Sequence, residues 1–324
     1  MAGRACLDLD LGTGDDERDP PPIHDETRKR MSAANNEHTA HKGFVLVTGS
    51  STGIGRATAR LLARLGFFVF AAVRKDADSE SWRAEGQDRI EPVILDVTRP
   101  ETISATMTHI ETRVGNAGLF GLVNNAGIGL GGPVEFLPMD DLRRQFEVNF
   151  FGLVAVTQAA MPLIRRARGR VVHVSSASGL VSQPFAGPYC ASKFALEAMA
   201  DAMRMELRSA GIQVSIVEPG RIKTPIWDRT LAEADRLRAN MSPKAEEYYG
   251  AELDQITSIV KKAEASGIPA EHVAEAILHA LSSPFPRIRY LVGMDARIQV
   301  LAAKLLPTRA FDALAMFLMK KGWV

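Results

Sequence analysis

The stretch FVLVTGSSTGIG, residues 44–55, decides the fold of this chain. A short hydrophobic run leads into a turn with Gly49, Gly53 and Gly55, and the helical pattern RATARLLARLG then continues to Gly66. Glycine permits a tight turn at Gly49, close approach of a phosphate to the backbone at Gly53, and close helix packing at Gly55. Amides that open a helix attract anions. The pattern predicts a phosphate-binding strand, turn and helix, although such turns also serve geometry alone.

Six more runs of strand character follow, separated by helical patterns. They are FFVFAAV (67–73), EPVILDV (91–97), LFGLVNNAG (119–127), GRVVHVSS (169–176), IQVSIVEPG (212–220) and RIRYLVG (287–293). Continuous hydrophobic strands that alternate with helices are typical of a parallel sheet covered on both faces. The sequence therefore predicts an α/β fold, a doubly wound parallel sheet of the Rossmann type with about seven strands and a ligand site at their carboxyl ends.

The texture of the chain also predicts its organisation. Residues 1–41 are polar and charged, so we expect a disordered N-terminal extension. Residues 42–293 are expected to form a single domain, with a helical lid at about 224–267. Residues 294–324 predict an amphipathic helical tail. We expect its apolar face to pack on its own domain or on a subunit partner, and contact with a membrane surface is the alternative.

The composition excludes several classes of protein. Lys and Arg total 39 against 38 Asp and Glu, so no net field favours nucleic acid. Cys6 and Cys190 are too few for a disulfide framework and lack metal-ligand spacing, so we expect a cytoplasmic protein without a metal site. We expect neither a secretion signal nor a membrane span, because no apolar run has the required flanks or length.

The stretch YCASK, residues 189–193, places Tyr189 and Lys193 four residues apart on a helical pattern and therefore on one face. An ammonium beside a phenol favours the phenolate, so we expect the pKa of Tyr189 to fall toward the range of a proton shuttle. Ser176, at the end of the preceding strand, is able to donate to a substrate carbonyl. Taken singly, these residues also fit a packed tyrosine, a solvated lysine and a turn serine.

Seven motifs together resemble those of the short-chain dehydrogenase/reductase family, over about residues 42–293. They are TGSSTGIG, LDV, NNAG, VNFFG, VSSASG, YCASK and EPGRIKTP, in the family's order. The resemblance implies hydride transfer between a nicotinamide cofactor and an alcohol or ketone. It makes Tyr189 the acid/base and Ser176 the group that orients the carbonyl, while Lys193 binds the nicotinamide ribose. Asn149 would hold a water of the proton relay or, alternatively, satisfy a helix backbone. A homo-oligomer is also implied.

The resemblance also implies the residues that contact the cofactor. These are Gly49, Ser51, Thr52, Gly53, Ile54 and Gly55 at the pyrophosphate turn; Asp96, Val97, Asn125, Ala126, Gly127, Tyr189 and Lys193 around the adenine and riboses; and Pro219, Gly220, Ile222 and Thr224 beside the nicotinamide. Arg74, after the second strand, suits a 2′-phosphate, so we expect NADP to be preferred over NAD. Asp76 or Asp78 at the ribose would instead favour NAD.

The residues expected to border the substrate are apolar, namely Val181, Pro184, Phe185, Ile226 and Trp227. They favour a small hydrophobic alcohol or ketone. The stretch from Gly179 to Gly220 is similar to family members that act on steroids and retinoids. The alternative function is a non-catalytic dinucleotide-binding scaffold or sensor of the same fold, which loss of a catalytic residue would favour; none is lost.

Overall fold

A computed structural model of the protein describes residues 41–321. At its centre lies a parallel sheet of seven strands in the order β3-β2-β1-β4-β5-β6-β7. The strands are β1 (Phe44–Val47), β2 (Phe68–Val73), β3 (Ile90–Ile94), β4 (Gly121–Asn124), β5 (Arg170–Val174), β6 (Gln213–Pro219) and β7 (Arg289–Val292). Each strand overlaps one of the hydrophobic runs, which confirms the predicted doubly wound fold.

Helices connect the strands and extend beyond the last one. They are α1 (Gly53–Arg64), α2 (Asp76–Ala84), α3 (Pro100–Val114), α4 (Met139–Phe146), α5 (Gly152–Ala167), α6 (Gly187–Glu206), α7 (Ile226–Ala239), α8 (Pro243–Ser266), α9 (Ala270–Ser282), α10 (Met294–Leu305) and α11 (Thr308–Lys321). A π-helical turn, Glu147–Phe151, joins α4 to α5. Such turns are rare and often lie at functional sites.

Hydrophobic side chains fill both faces of the sheet. Along β1, Val45 and Val47 pack in one core cluster with residues of α1 and α9. Phe44 and Leu46 pack in a second cluster with residues of α3 and α5. Because successive residues of a strand point to opposite faces, burial on both sides requires the continuous apolar run that the sequence shows.

The strand order reverses beside β1, which has β2 on one side and β4 on the other. In open α/β sheets, ligands bind in the crevice at the carboxyl ends of the strands next to such a reversal. The motifs that follow β1, β4, β5 and β6 all lie at this edge. The fold therefore gathers the candidate site from four separate stretches of chain.

The segment expected to form a lid consists of α7 and α8, and the tail consists of α10 and α11. The tail leaves apolar side chains exposed, such as Leu305 at 72% and Phe317 at 57%. The expected disordered extension, residues 1–41, lies outside the described residues apart from His41, as do residues 322–324 of the tail.

One helical stretch, Met139–Ala167, is long and apolar enough to cross a membrane by length and composition. In the most apolar 18 residues of this stretch, 44% are buried inside the protein. Val156, Ala160 and Ile164 of this stretch pack in the core beneath the sheet. Because the core helix of a folded domain passes the same test, the stretch is weak support for a membrane span.

Candidate active site

The phosphate turn has the shape that its glycines predict. Gly49 (φ 67°) and Gly53 (φ 55°) adopt left-handed backbone conformations, which favour glycine. A Cβ atom on Gly55 would lie 2.3 Å from the carbonyl oxygen of Gly49, so only glycine fits there. Thr52 precedes α1, and the amides of Gly53, Ile54 and Gly55 open the helix beside the turn. The turn therefore fits a pyrophosphate group.

Two side chains from outside the turn hold it in place. The Asn125 amide donates to the carbonyl oxygens of Thr48 (2.9 Å) and Gly49 (3.1 Å). The buried indole of Trp82, on α2, donates to the carbonyl oxygen of Ser50 (3.1 Å). The side-chain amide of Asn125 thus binds the turn, while its expected contact with the ribose stays a prediction.

A cavity of about 280 Å³ lies beside the ends of β2 and β3. It is lined by Arg74, Lys75, Ile94, Asp96, Arg99 and Thr102. Burial raises the pKa of Asp96, but hydrogen bonds from Thr98 and the charge of Arg74 more than offset it, so the pKa lies below its usual value. Three cationic side chains therefore face one carboxylate. Asp76 and Asp78 do not line the cavity and lie in the first turn of α2.

Other residues predicted to contact the pyrophosphate, the adenine and the riboses lie at the same edge of the sheet. Ser51 accepts a hydrogen bond from Arg56 at its carbonyl oxygen (2.9 Å). Val97 is buried, and its carbonyl oxygen would lie 2.6 Å from a Cβ atom on Gly152, at the start of α5. The backbone amide of Ala126 donates to the Thr48 hydroxyl (3.0 Å). These contacts place the backbone after β4 against the phosphate turn.

Ser176 and Tyr189 form the centre of the candidate site. The Ser176 hydroxyl accepts from the amide of Ser178 (3.1 Å) and donates to the carbonyl oxygen of Pro219 (3.4 Å). Its side chain also lies close enough to the phenol of Tyr189, near the start of α6, to oppose the rise in the pKa of that phenol. The structure thus brings together two hydroxyl groups that are able to bind a single substrate oxygen.

Lys193 lies on the same helix face and is 4% exposed. Its Nζ donates to the carbonyl oxygen of Val174 (2.9 Å) and lies 5.8 Å from the centroid of the Tyr189 ring. Burial lowers the pKa of Lys193 to about 8 and raises the pKa of Tyr189 to about 12. The expected lowering of the Tyr189 pKa is therefore wrong for this structure. Desolvation of the phenol outweighs the effect of an ammonium directed at a backbone carbonyl.

Asn149 is fully buried in the π-helical turn between α4 and α5. Its amide donates to the Ile128 carbonyl (2.9 Å) and to the Ser192 hydroxyl (3.1 Å), and its Oδ1 accepts from the Ile128 amide (2.9 Å). A Cβ atom on Gly127 would lie 3.4 Å from Asn149 Oδ1 and 3.9 Å from Lys193 Nζ. Asn149 thus holds the loop after β4 against α6 and lies close to the lysine.

The loop after β6 is held from α10 and from the lid. Asp295 accepts from the backbone amide of Arg221 (2.8 Å), and a Cβ atom on Gly220 would lie 2.5 Å from its carboxylate. Trp227 donates its indole N–H to the carbonyl oxygen of Ile222 (2.7 Å). These two bonds fix the segment that the resemblance places beside the nicotinamide.

The same loop closes against the phosphate turn. A Cβ atom on Gly53 would lie 2.9 Å from the methyl group of Thr224, so the two predicted cofactor residues are in contact range. Arg229, on α7, reaches the hydroxyl of Thr52 (3.4 Å). A lid cation therefore lies beside the amides expected to hold the pyrophosphate.

Aromatic residues from three segments meet next to the site. Phe185 has a left-handed backbone (φ 63°), which is rare for a residue other than glycine, and its carbonyl oxygen accepts from the amide of Gly132 (2.7 Å). Its ring lies 6.0 Å from that of Tyr249 on α8, which lies 6.0 Å from Phe136. The Tyr249 hydroxyl donates to Glu135 (3.0 Å).

Several site residues were missed by reasoning from the sequence. These are Lys75 and Arg99 at the cavity, Ser192 beside Asn149, Arg229 on the lid and Asp295 on α10. Ser192 stands within YCASK, and a search of that motif for further hydroxyls would have found it. Val181, expected at the substrate, is instead buried. Within residues 41–321, no group of three or more His, Cys, Asp or Glu side chains is placed to hold a metal ion.

The fold and site define a doubly wound α/β protein with a serine, tyrosine and lysine beside a phosphate-binding turn. A family model described as short chain dehydrogenase matches residues 43–235. The chain belongs to the short-chain dehydrogenase family and is therefore an oxidoreductase that acts on CH–OH groups.

Similar proteins and structures agree with this placement. Retinol dehydrogenase 5 of Mus musculus is 36% identical over 288 residues, which cover 87% of this chain and 90% of that protein. Retinol dehydrogenase 16 of Mus musculus is 38% identical, with coverage of 84% and 87%. A short-chain dehydrogenase structure from Streptomyces avermitilis has a TM-score of 0.67 at 29% identity, covering 88% of this chain and 96% of that one. A Burkholderia phymatum structure in complex with NAD has a TM-score of 0.68 at 25% identity, covering 82% and 95%.

Proposed function

We propose that this chain is an NAD(P)-dependent oxidoreductase that interconverts a hydrophobic secondary alcohol and its ketone, with Tyr189 as the general acid/base. The observation that carries the proposal is the proximity of the Ser176 hydroxyl to the Tyr189 phenol at the carboxyl edge of the sheet. These two residues lie next to the buried Lys193 and beside a turn shaped for a pyrophosphate.

The nicotinamide dinucleotide would lie along this edge. The amides of Gly53, Ile54 and Gly55 would bind its pyrophosphate, with Arg229 approaching from the lid. The loop held by Asp295 and Trp227 would border the nicotinamide. A solved relative at 25% identity carries NAD, which supports the assignment of the cofactor class.

When bound, the cofactor supplies or accepts the hydride. Ser176 donates a hydrogen bond to the substrate oxygen and orients the carbonyl against Tyr189. Since the pKa of Tyr189 is raised to about 12, its phenol holds a proton at neutral pH and donates it to the developing alkoxide. Lys193 stabilises the phenolate that remains, and Asn149 holds the backbone beside the lysine. In the oxidative direction the phenol must first lose its proton, so oxidation is favoured by higher pH.

The cavity at the ends of β2 and β3 supports a preference for NADP. Arg74, Lys75 and Arg99 surround it, and the carboxylates that would favour NAD lie on α2 outside its lining. A 2′-phosphate carries negative charge that three cations stabilise, whereas the two hydroxyls of an unphosphorylated ribose do not.

The substrate is expected to be an extended apolar alcohol, as the names of the retinol dehydrogenases suggest for those relatives. Phe136, Phe185 and Tyr249 form an aromatic wall in this chain. Aromatic rings offer large apolar contact area with few hydrogen-bonding groups, which suits a polyene or a sterol better than a sugar.

The experiment that tests this function is a screen of apolar alcohols and ketones with both cofactors, followed by the absorbance of the reduced nicotinamide. Hydroxysteroids and ketosteroids form the apolar set of secondary alcohols and ketones, retinol and retinaldehyde form an apolar comparison of a primary alcohol and its aldehyde, and aldoses form the polar control. We expect turnover in the apolar set with NADP or NADPH. Turnover confined to the sugars would contradict the assignment of substrate class, and binding of cofactor without any turnover would favour the scaffold.

The cytoplasmic location and the homo-oligomer remain predictions, as does a surface contact by the tail. The exposed apolar side chains of α10 and α11, with Lys320 and Lys321 at the end, are compatible with a subunit partner or a lipid surface. Sedimentation of the full chain with anionic lipid vesicles, and its mass in solution without them, separates the two. A variant with Leu301→Glu and Phe317→Glu is the control, since both side chains are more than half exposed.

A further inference from the structure

A partly buried cluster of charged side chains lies behind the active-site lysine, with two buried carboxylates and a guanidinium that is 34% exposed. Arg289, on β7, donates through Nη1 to Glu197 on α6 and to Glu218 on β6 (2.6 Å). Its Nη2 donates to Asp201, one turn further along α6 (2.7 Å). Glu197 is 6% exposed and Glu218 is 1% exposed. One guanidinium therefore holds carboxylates from two elements inside the domain.

The cluster is costly as a purely structural feature. Buried charges lose hydration, and ion pairs in a protein interior seldom regain all of that loss. Glu197 Oε1 and the Ser175 hydroxyl are buried without a hydrogen-bond partner in the part of the chain that the structure describes. Gly179 leaves room for this carboxylate, because a Cβ atom there would lie 3.2 Å from Glu197 Oε1. One oxygen of Glu197 thus remains available to act through its charge.

Lys193 is the neighbouring group on which that charge acts. It precedes Glu197 by four residues, so the two lie one turn apart on one face of α6. The Lys193 ammonium is buried and donates to a backbone carbonyl, which carries no full charge. Burial lowers the pKa of Lys193, and the charge of Glu197 is what opposes that effect.

The other ionisable groups around Lys193 and Glu197 have different effects. His173, on β5, has its pKa lowered to about 4 by burial and by Lys193, so it is neutral near pH 7. Arg289 holds Glu197 and Asp201, while Glu218 shares the same guanidinium nitrogen as Glu197. The positive charge of Lys304, on α10, lowers the pKa of Glu218 and so opposes the effect of its burial.

We propose that Glu197 is a positioning residue for the reaction: clamped by Arg289, its carboxylate keeps the buried ammonium of Lys193 charged at the pH at which the enzyme works. The inference deepens the proposed function and rests on it. A charged Lys193 is what binds the ribose hydroxyls and stabilises the Tyr189 phenolate, so loss of the carboxylate weakens both without removing any group that touches the substrate.

The test is the titration of Lys193 itself, in full-length protein without cofactor or substrate. The side-chain resonances of ¹³C-labelled lysine report the ammonium charge, and the Lys193 signal is identified by its absence from Lys193→Arg. We expect Glu197→Gln to lower the titration midpoint by about one pH unit, the size expected for one charge a helical turn away in a protein interior.

Asp201→Asn is the matched control, because Asp201 binds the same guanidinium but lies two turns from Lys193. Its midpoint is expected to shift by less than half as much as in Glu197→Gln, because Asp201 lies about twice as far from Lys193 and its side chain is 39% exposed to solvent. Glu197→Asp, which keeps the charge on a shorter side chain, is expected to fall between the wild type and Glu197→Gln. Thermal unfolding by circular dichroism shows that each variant is folded.

An unchanged midpoint in Glu197→Gln, or an equal shift in Asp201→Asn, overturns the proposal. If Glu197→Gln does not fold, the other two variants decide. The proposal is then overturned if Lys193 titrates as in the wild type in Glu197→Asp but has a shifted midpoint in Asp201→Asn. In activity assays, the alkaline limb of the kcat/KM profile should move to lower pH by the same amount in Glu197→Gln. The titration needs no turnover, so a negative titration result leaves the proposed function intact. Conversely, a complete lack of turnover would contradict the proposed function and would not affect the titration.

Discussion

Replacing Arg74 and Arg99 by serine is expected to remove the preference for the 2′-phosphorylated cofactor. Both guanidiniums line the cavity at the ends of β2 and β3, with Lys75 as the third cation. A charge-assisted hydrogen bond contributes about 1.5–3 kcal/mol. Because both arginines are exposed to solvent, the contribution of each is reduced to about 1 kcal/mol.

These energies correspond to a roughly 5-fold weaker affinity for NADPH in each single variant, and to about 30-fold in the double variant. The affinity for NADH should change by less than about 2-fold, since the arginines have no phosphate to bind there. Titration of reduced-cofactor fluorescence measures both constants. Arg83→Ser is the control, because Arg83 is an exposed arginine of α2 that does not line the cavity.

Equal losses for NADPH and NADH would refute the reasoning, because they would indicate damage to the shared part of the cofactor site. A wild-type preference for NADH that is abolished by Asp76→Asn would also refute the reasoning. That result would place a carboxylate at the ribose, although the structure has Asp76 on α2 outside the cavity lining.

Two further substitutions test the phosphate turn and the buried charges. Gly55→Ala should weaken cofactor binding at least about 10-fold and destabilise the fold by about 1–3 kcal/mol, because its Cβ would lie 2.3 Å from the carbonyl oxygen of Gly49. Calorimetric titration checks this against Gly86→Ala, where the new atom meets nothing within 4 Å. The left-handed backbone of Gly86 (φ 61°) makes that change destabilising as well, but cofactor binding should persist. For Glu218→Gln, the free energy of unfolding relative to the wild type should increase by about 2 kcal/mol as pH rises from 5 to 8, as measured by urea unfolding. Burial raises the pKa of Glu218 to about 7 despite its bond to Arg289, so the folded wild type loses stability as that proton leaves; a pH-independent difference would contradict this.

The fold was predictable because it depends on patterns of short range. Seven continuous apolar runs require a sheet buried on both faces, and the glycines at Gly49, Gly53 and Gly55 require a tight turn before a helix. Tyr189 and Lys193 are brought to one face by helical spacing alone. The motif order then predicted that Ser176 lies beside Tyr189, and the structure places Ser176 close enough to affect the pKa of the phenol.

Other features of the site depend on parts of the chain that are distant in sequence. Arg229 and Asp295 reach the turn and the loop after β6 from the lid and from α10, so no local pattern marks them. The raised pKa of Tyr189 depends on how much water the surrounding atoms exclude. Residue spacing indicated the nearby ammonium but not the larger effect of desolvation.

The most direct test of the central claim is to measure cofactor binding and turnover together in Tyr189→Phe. The change removes one hydroxyl, and the proposed mechanism predicts a Kd for cofactor within about 3-fold of the wild type and a kcat lower by about 10²–10⁴-fold. Tyr290→Phe is the control, because its hydroxyl bonds His279 and not Ser176. A Tyr189→Phe enzyme with near-normal kcat would contradict the assignment of Tyr189 as the acid/base.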